Sequence, residues 1–308
     1  MQATKATSAA EWQQLARKVE DLGYSTLFVA DHYLGPGPAA RASAQPAQHL
    51  APIAAMATAA AATSTLRVGC RVFCVDYHLP AVLAKEAATL DLLSEGRLEF
   101  GIGAGWSEPE YHALGVAFEP PARRVAKLAE VVALIKAHWA GEELAITGEF
   151  ATATGFAGLP VRRPRPPIMI GGGRRRVLSL AAREADIVSI NNVPFQTIDG
   201  RTPEQEAVRR LDFVRSAAGD RFSALDIESS PFFTAVTDDP PTALKNVANR
   251  VRTLPDGLVD HPNVLIGSAD ELVDRLLERR ARLGVNYLSV QQSQLGDFAP
   301  VAARLAGR

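Results

Sequence analysis

Cysteine is nearly absent from this chain of 308 residues, with Cys70 and Cys74 its only two. Four positions apart on one predicted strand, they share a face but stand too far apart to bridge, at roughly 3.3 Å of rise per residue. That argues against a disulfide framework and for reduced thiols in a cytoplasmic protein. Lysine is scarce as well: Lys5, Lys18, Lys85, Lys127 and Lys136 fall in predicted helices or near a terminus, and Lys245 falls in no predicted strand. None stands at a strand end, where a Schiff-base lysine is needed. The histidines show no H-x-x-x-H spacing, so no metal site is expected. There is no G-x-S-x-G elbow for a serine hydrolase and no Gly-Lys-Ser/Thr ending of a Walker loop. No apolar run approaches the roughly 20 residues that cross a bilayer. The start, Met1-Gln2-Ala3-Thr4-Lys5, lacks the apolar core of a secretion signal. A formal net charge of -1 gives no electrostatic ground for a nucleic-acid or membrane partner.

What is present is ordinary globular material, 47% hydrophobic and 22% charged, enough for a large core. Helical periods alternate with short apolar runs. Helices are predicted at Ser8 to Leu22, Pro52 to Ala62, Pro80 to Leu93, Pro121 to Trp139, Arg175 to Glu184 and Ala269 to Leu283. Strands are predicted at Tyr24 to Ala30, Leu66 to Val75, Arg97 to Ile102, Pro167 to Ile170, Ile187 to Ile190, Ile227 to Val236 and Tyr287 to Val290. Such alternation with short connections implies a parallel sheet, and nearly eight units in one chain favour a closed (β/α)8 TIM barrel. The reading is one domain over residues 1–308, with insertions at about 107–167 and 193–226. The first contains a helix and a hairpin around Ile146 to Thr154. The second opens with Pro194, Gly200 and Pro203 before a charged helix. The barrel lacks its first strand on this reading, because Met1 stands almost where that strand should end. Either the start lies further upstream or the barrel closes imperfectly.

Three groups of residues could carry chemistry. Asp31-His32-Tyr33 follows a buried strand directly, where an imidazole can exchange a proton with a ligand in the barrel mouth. A loop histidine held by Asp31 for structural reasons is the equally weighted alternative. Leu98 to Trp106 ends in Gly101, Gly103 and Gly105, and glycine at a strand end lets a flat ligand approach the backbone. Gly171-Gly172-Gly173-Arg174 opens a helix after an apolar strand, which suits an anion at the unpaired amides. A tight turn before a solvated basic face is the alternative there. Asn191 and Asn192 stand at the next strand end, as ligand contacts or as a helix cap or turn. A phosphate cradle, glycine-rich strand ends and one well-placed histidine suit a phosphorylated flat-ring cofactor.

Asp31-His32, Arg67-Val68-Gly69, Pro80 to Lys85, Leu98 to Trp106 and Pro166 to Gly172 together resemble the luciferase-like oxidoreductases. Among these the chain is most similar to the branch that uses the deazaflavin coenzyme F420. The resemblance runs from about Ala10 to the carboxyl end. It implies a (β/α)8 barrel, usually a homodimer, holding F420 or reduced FMN at the carboxyl face. The phosphate then lies at Gly171, Gly172, Gly173 and Arg174. A bulge with a non-proline cis peptide behind the ring is expected near Cys70, Arg71 and Val72. His32 matches the histidine that serves some deazaflavin dehydrogenases as a base on the substrate alcohol. Those enzymes carry a glutamate near the position of Trp106, so an apolar ring replaces a proton donor and a flatter, more apolar substrate is expected.

The resulting function is hydride transfer between F420 and an unidentified small organic substrate. His32 would exchange the proton, and Trp106 would line the pocket. Asp31, Cys70, Arg71, Val72, Gly103, Gly105 and Asn191 would complete the cofactor contacts. An FMN-dependent monooxygenase and a catalytically silent flavin- or phosphate-binding barrel are the alternatives. A separate reductase that regenerates the cofactor is a further partner consistent with the resemblance.

Overall fold

The computed structural model describes residues 1–43, 45–190 and 193–307. Its contacts divide the chain into two compact units, and each is described by itself. One comprises Gln2–Glu20 and Ser25–Ile170. The other comprises Asp21–Tyr24 and Gly171–Arg308, together with Met1.

The first unit runs α1 (Ala9–Asp21), β1 (Thr26–Val29), α2 (Pro38–Ser43), α3 (Pro52–Ala61), β2 (Arg67–Cys74), α4 (Pro80–Leu93), β3 (Leu98–Gly103), α5 (Glu108–Ala113), α6 (Pro121–Ala140), a hairpin of β4 (Glu143–Thr147) and β5 (Thr152–Ala157), and the start of β6 (Ile168–Gly172). Proline stands in the first turn of α3, α4, α5 and α6. Its missing N–H costs nothing there, and its fixed φ suits the helix. The strands β1, β2, β3 and β6 are parallel neighbours in that order. Every residue of β1 and β3 is buried, as expected of strands covered on both faces. Helix joins strand through Trp139, whose ring meets Phe100 edge-on at 5.2 Å while its indole N–H donates to the Ala84 carbonyl of α4.

Ahead of β1, Gln2 forms one parallel bridge with Phe28, and the Ala3 amide donates to the Phe28 carbonyl at 2.8 Å. The expected first strand is reduced to this single step of ladder.

The amino-terminal ends of the strands are clamped. Arg97 donates to the carbonyls of Ser94, Leu66 and Ala60, tying the start of β3 to α3 and to the turn after α4. Glu20 accepts from the amides of Ser64, Thr65 and Leu66, and the Thr65 amide above all lowers its pKa to about 2.

Between Cys70 and Phe73 the register of β2 against β3 shifts, and the Arg71–Val72 peptide is cis. Both lie where the resemblance pointed. Gly101 serves this bulge. A Cβ there would lie 2.1 Å from the Cys70 carbonyl oxygen and 2.9 Å from a Val72 methyl.

The second unit runs α7 (Arg175–Glu184), β7 (Ile187–Ile190), α8 (Pro203–Ala218), β8 (Asp226–Ser229), β9 (Phe233–Val236), α9 (Pro240–Val251), β10 (Val264–Gly267), α10 (Ala269–Leu283), β11 (Val285–Leu288) and α11 (Ala299–Leu305). Parallel β7, β8 and β11 are neighbours in that order, and β9 pairs separately with β10. The predicted strand from Ile227 to Val236 is therefore two strands in two sheets. Pro231 stands between them, and a residue without an N–H ends a ladder. Capping boxes open α8 at Thr202 and α10 at Ser268. Asn191 and Asn192 lie outside the described residues. Among the described residues no helix is long and apolar enough to cross a membrane.

His261 anchors a loop of this unit. Its Nε2 donates to the Pro194 carbonyl at 2.9 Å, its Nδ1 accepts from the Asn263 amide at 3.0 Å, and its ring stacks on Phe195. The bond from the Asn263 amide requires an unprotonated Nδ1 and so the neutral imidazole. Burial lowers its pKa below the usual 6.5, and the nearby Arg279 charge acts in the same direction.

Two outcomes follow. Gly101→Ala should lower the unfolding free energy by about 3 kcal/mol, because the clash is with backbone. Gly35→Ala, where a Cβ meets nothing within 4 Å, should leave it within about 1 kcal/mol. Urea denaturation reads both. For His261 the unfolded chain binds the proton more readily than the folded one. Its contribution is complete above the unfolded pKa near 6.5 and is lost as pH falls towards the folded value. His261→Gln should therefore flatten the decline of stability between about pH 6.5 and 5, and an unchanged slope would refute this assignment.

Candidate active site at the ends of three parallel strands

The carboxyl ends of β1, β2 and β3 lie side by side in the first unit, and each is followed by a short polar turn. After β1 come Ala30, Asp31, His32 and Tyr33. After β2 come Val75, Asp76, Tyr77 and His78. After β3 come Ala104, Gly105, Trp106 and Ser107, then α5. Catalytic groups of barrel enzymes occupy such ends because strand geometry fixes their positions while loops vary.

Asp31 is buried and joins two of these ends. Its Oδ2 accepts from the Cys74 amide at 2.8 Å and from His78 Nε2 at 2.9 Å. Its Oδ1 accepts from the Tyr33 hydroxyl at 2.8 Å. Burial, and then the Asp31 charge, push the Tyr33 pKa up, which keeps that hydroxyl a donor.

His32 is gripped from the third strand end. Its Nδ1 lies 2.5 Å from Oε2 of Glu110, a residue of α5 whose side chain is 0% exposed. The other oxygen of Glu110 accepts from the Tyr33 amide at 2.8 Å. A carboxylate at Nδ1 places a proton there and turns Nε2 away from it. Among the described residues Nε2 has no hydrogen-bond partner, and the side chain is 18% exposed. Trp106 meets the imidazole edge-on, 5.9 Å between centroids, and is 54% exposed.

The glycine turn after β3 is held by the protein itself. Gly105 has φ +70°, and a Cβ on it would stand 1.8 Å from the Tyr111 hydroxyl. That hydroxyl donates to Asp76 at 2.7 Å and contacts the Cys74 sulfur at 3.0 Å. Lys127 closes the group with a 2.7 Å ion pair to Asp76. Arg124 lies over the Phe118 ring and donates to the carbonyls of Glu119, Ala104 and Gly105. Burial pushes the Cys74 thiol up to about 12 and Cys70 well above its usual value, so both stay protonated.

The anticipated residues therefore fall into two groups. Asp31, His32, Trp106, Cys70, Arg71, Val72, Gly103 and Gly105 belong to the first unit. Cys70 is fully buried and its thiol offers no accessible atom, whereas Arg71 and Val72 are part-exposed. The space beside Gly105, expected to admit a ring, is filled by Tyr111. Gly171, Gly172, Gly173 and Arg174 belong to the second unit, where Arg174 is the N-cap of α7 and the helix has no side-chain cap. A Cβ on Gly172 would meet a Val177 methyl at 2.2 Å, so this glycine seats α7 on its strand.

Sequence reasoning missed Glu110, His78, Asp76 and Tyr111. One signal was available. Ser107-Glu108-Pro109-Glu110 reads as a capping box, yet the Ser107 hydroxyl makes no cap and is buried without a partner, while Glu110 turns to His32. The expectation that an apolar ring replaces the carboxylate needs correction, because α5 supplies one four residues beyond Trp106.

The model of the luciferase-like monooxygenase family matches residues 1–254, and the chain belongs to that family. It is 31% identical over 234 residues to an uncharacterised protein of Mycobacterium tuberculosis, covering 70% of this chain and 79% of that protein. It is 38% identical over 141 residues to the F420-dependent glucose-6-phosphate dehydrogenase of Beutenbergia cavernae, covering 44% of this chain and 38% of that enzyme. Over 147 residues it is 30% identical to the FMNH2-dependent dimethylsulfone monooxygenase of Pseudomonas fluorescens, covering 48% and 40%. In three dimensions it matches the F420-dependent tetrahydromethanopterin reductase of Methanopyrus kandleri with a TM-score of 0.72, at 16% identity over 98% of this chain and 96% of that one. The fold is the α/β TIM-barrel type of this family, and family membership supports an enzyme of the oxidoreductase and monooxygenase class.

Glu110→Ala strands the His32 ring N–H and the Tyr33 amide, and should lower the unfolding free energy by about 3 kcal/mol. Glu110→Gln retains one acceptor and should cost about 1 kcal/mol. Equal costs in urea denaturation would show that the two hydrogen bonds do not hold the strand end.

Proposed function

We propose that this protein transfers a hydride between coenzyme F420 and a small organic substrate whose oxygen exchanges a proton with His32. The His32–Glu110 pair carries this reading. Interconverting an alcohol and a carbonyl needs a proton at the substrate oxygen, and a carboxylate-oriented imidazole with one unengaged nitrogen supplies it. Glu110 acts as a positioning residue, fixing the ring through Nδ1 and the main chain through Tyr33.

The residues present fit a flat cofactor. Within β2, Arg71 and Val72 of the bulge are part-exposed between buried Cys70 and Phe73. Arg71, Val72 and Asp31 would hold the ring. Within the second unit, the amides of Gly171 to Arg174 at the start of α7 suit a phosphate. When bound, the deazaflavin supplies the hydride at C5, and the protein supplies orientation and exclusion of water. Trp106 would cover the substrate beside His32. The same reading has the protein act as a cytoplasmic homodimer, with a separate reductase renewing the reduced cofactor.

A second reading, reduced FMN with oxygen, is favoured by the FMNH2-dependent relative. Fluorescence polarisation with F420 and with FMN separates the two. The proposal expects micromolar binding of the deazaflavin and much weaker binding of FMN. With a substrate found by screening alcohols and carbonyl compounds, His32→Ala should keep F420 affinity within a few-fold and slow turnover by about 10²–10⁴-fold. Incorporation of an oxygen atom from O2 would exclude the deazaflavin, and full activity of His32→Ala would remove the proton-transfer role.

A further inference from the structure

The second unit contains a cavity of about 280 Å³ between β9, α9 and the turn after β11. Phe232 and Phe233 form an aromatic wall, and Ala243, Val247 and Ile266 form an apolar floor. The polar lining consists of Thr234, Asn246, Gln291, Ser293 and Gln294. We propose that this cavity is a binding site for a neutral small molecule with a flat apolar body and a carbonyl or hydroxyl oxygen. The proposal is independent of the hydride-transfer reading.

Three observations converge. The first is size: an apolar cavity of about 150 Å³ already accepts benzene, so this one has room for a ring with a short polar substituent. The second is the Thr234 hydroxyl, which is buried and has no hydrogen-bond partner. A buried hydroxyl left unpaired is destabilising, and a ligand oxygen at this position would satisfy it. The side-chain amides of Asn246, Gln291 and Gln294 likewise make no hydrogen bond among the described residues, so the polar rim is uncommitted. The third is charge. None of the lining residues ionises, so a carboxylate or phosphate would lose its hydration without gaining a counter-charge. The Arg250 guanidinium contacts this wall, but over the Phe233 ring.

Ligand-observed NMR on the full chain tests the site, with acetophenone as the neutral probe and benzoate as an anion of similar shape. Acetophenone should bind saturably to the wild type. Affinity should fall about tenfold or more in Ala243→Phe, which fills the cavity, and several-fold in Thr234→Val, which keeps the shape and removes the hydroxyl. It should be unchanged in His32→Ala, and benzoate should bind at least about tenfold more weakly. The proposal is overturned if acetophenone does not bind, if benzoate binds equally well, or if His32→Ala abolishes binding while Ala243→Phe and Thr234→Val retain it. Loss in His32→Ala alone would place the probe in the first unit's site, leaving the hydride-transfer reading untouched. Thermal melts of the variants establish that Thr234→Val, the milder change, is folded when it is assayed.

Discussion

Glu110 holds the end of β1 from an element that lies 78 residues further along the chain. Its two oxygens take the His32 ring N–H and the Tyr33 main-chain N–H, so one buried carboxylate sets both the tautomer of the imidazole and the path of the backbone that carries it. A histidine on a free turn would sample several rotamers, and only a fraction of them would direct Nε2 usefully. Fixing the ring before substrate arrives removes that loss. Asp31 does the corresponding work between β1 and β2, since its carboxylate takes the Cys74 amide, His78 and Tyr33 together. The two carboxylates make three strand ends into one surface.

The glycines at the strand ends have a different reason from the one their spacing first indicates. Gly101 leaves room for the bulged β2, Gly105 for the Tyr111 hydroxyl, and Gly172 for Val177. Each removes a Cβ so that another part of the protein can approach. The bulge beside Gly101 leaves Arg71 and Val72 part-exposed between buried Cys70 and Phe73. The glycines at these strand ends are thus accounted for by packing within the protein.

Much of the fold was legible. The spans Pro80–Leu93, Arg175–Glu184, Ile187–Ile190 and Ala269–Leu283 agree with expectation to the residue, since each has a clear apolar pattern and a breaker or cap beside it. The bulge and the cis Arg71–Val72 bond were legible only through resemblance, because nothing local in Cys70-Arg71-Val72 requires either. Buried β10 and amphipathic α9 were missed. The Asp239-Pro240-Pro241 start of α9 was nevertheless readable, with Asp239 accepting from the Thr242 amide as an N-cap. His32 could be singled out from its strand-end position, but its partner could not. Glu110 sits where a capping box places its glutamate, and only tertiary structure shows the carboxylate turned away from its own helix.

That diversion sets Ser107 apart from the other capping boxes of this chain among the described residues. The boxes at Thr202 and Ser268 close in the usual way and open α8 and α10. At Ser107 the same pattern is left open, with a buried orphan hydroxyl, and the glutamate is used on a histidine instead. A local rule broken at this cost calls for a compensating gain, and the oriented imidazole provides it. The neighbouring charges support the same conclusion. Lys127 is neutralised by Asp76, and Arg124 is consumed by carbonyls and the Phe118 ring. At these strand ends the His32 imidazole is part-exposed and the Trp106 ring is exposed, with Arg71 and Val72 part-exposed in the bulge.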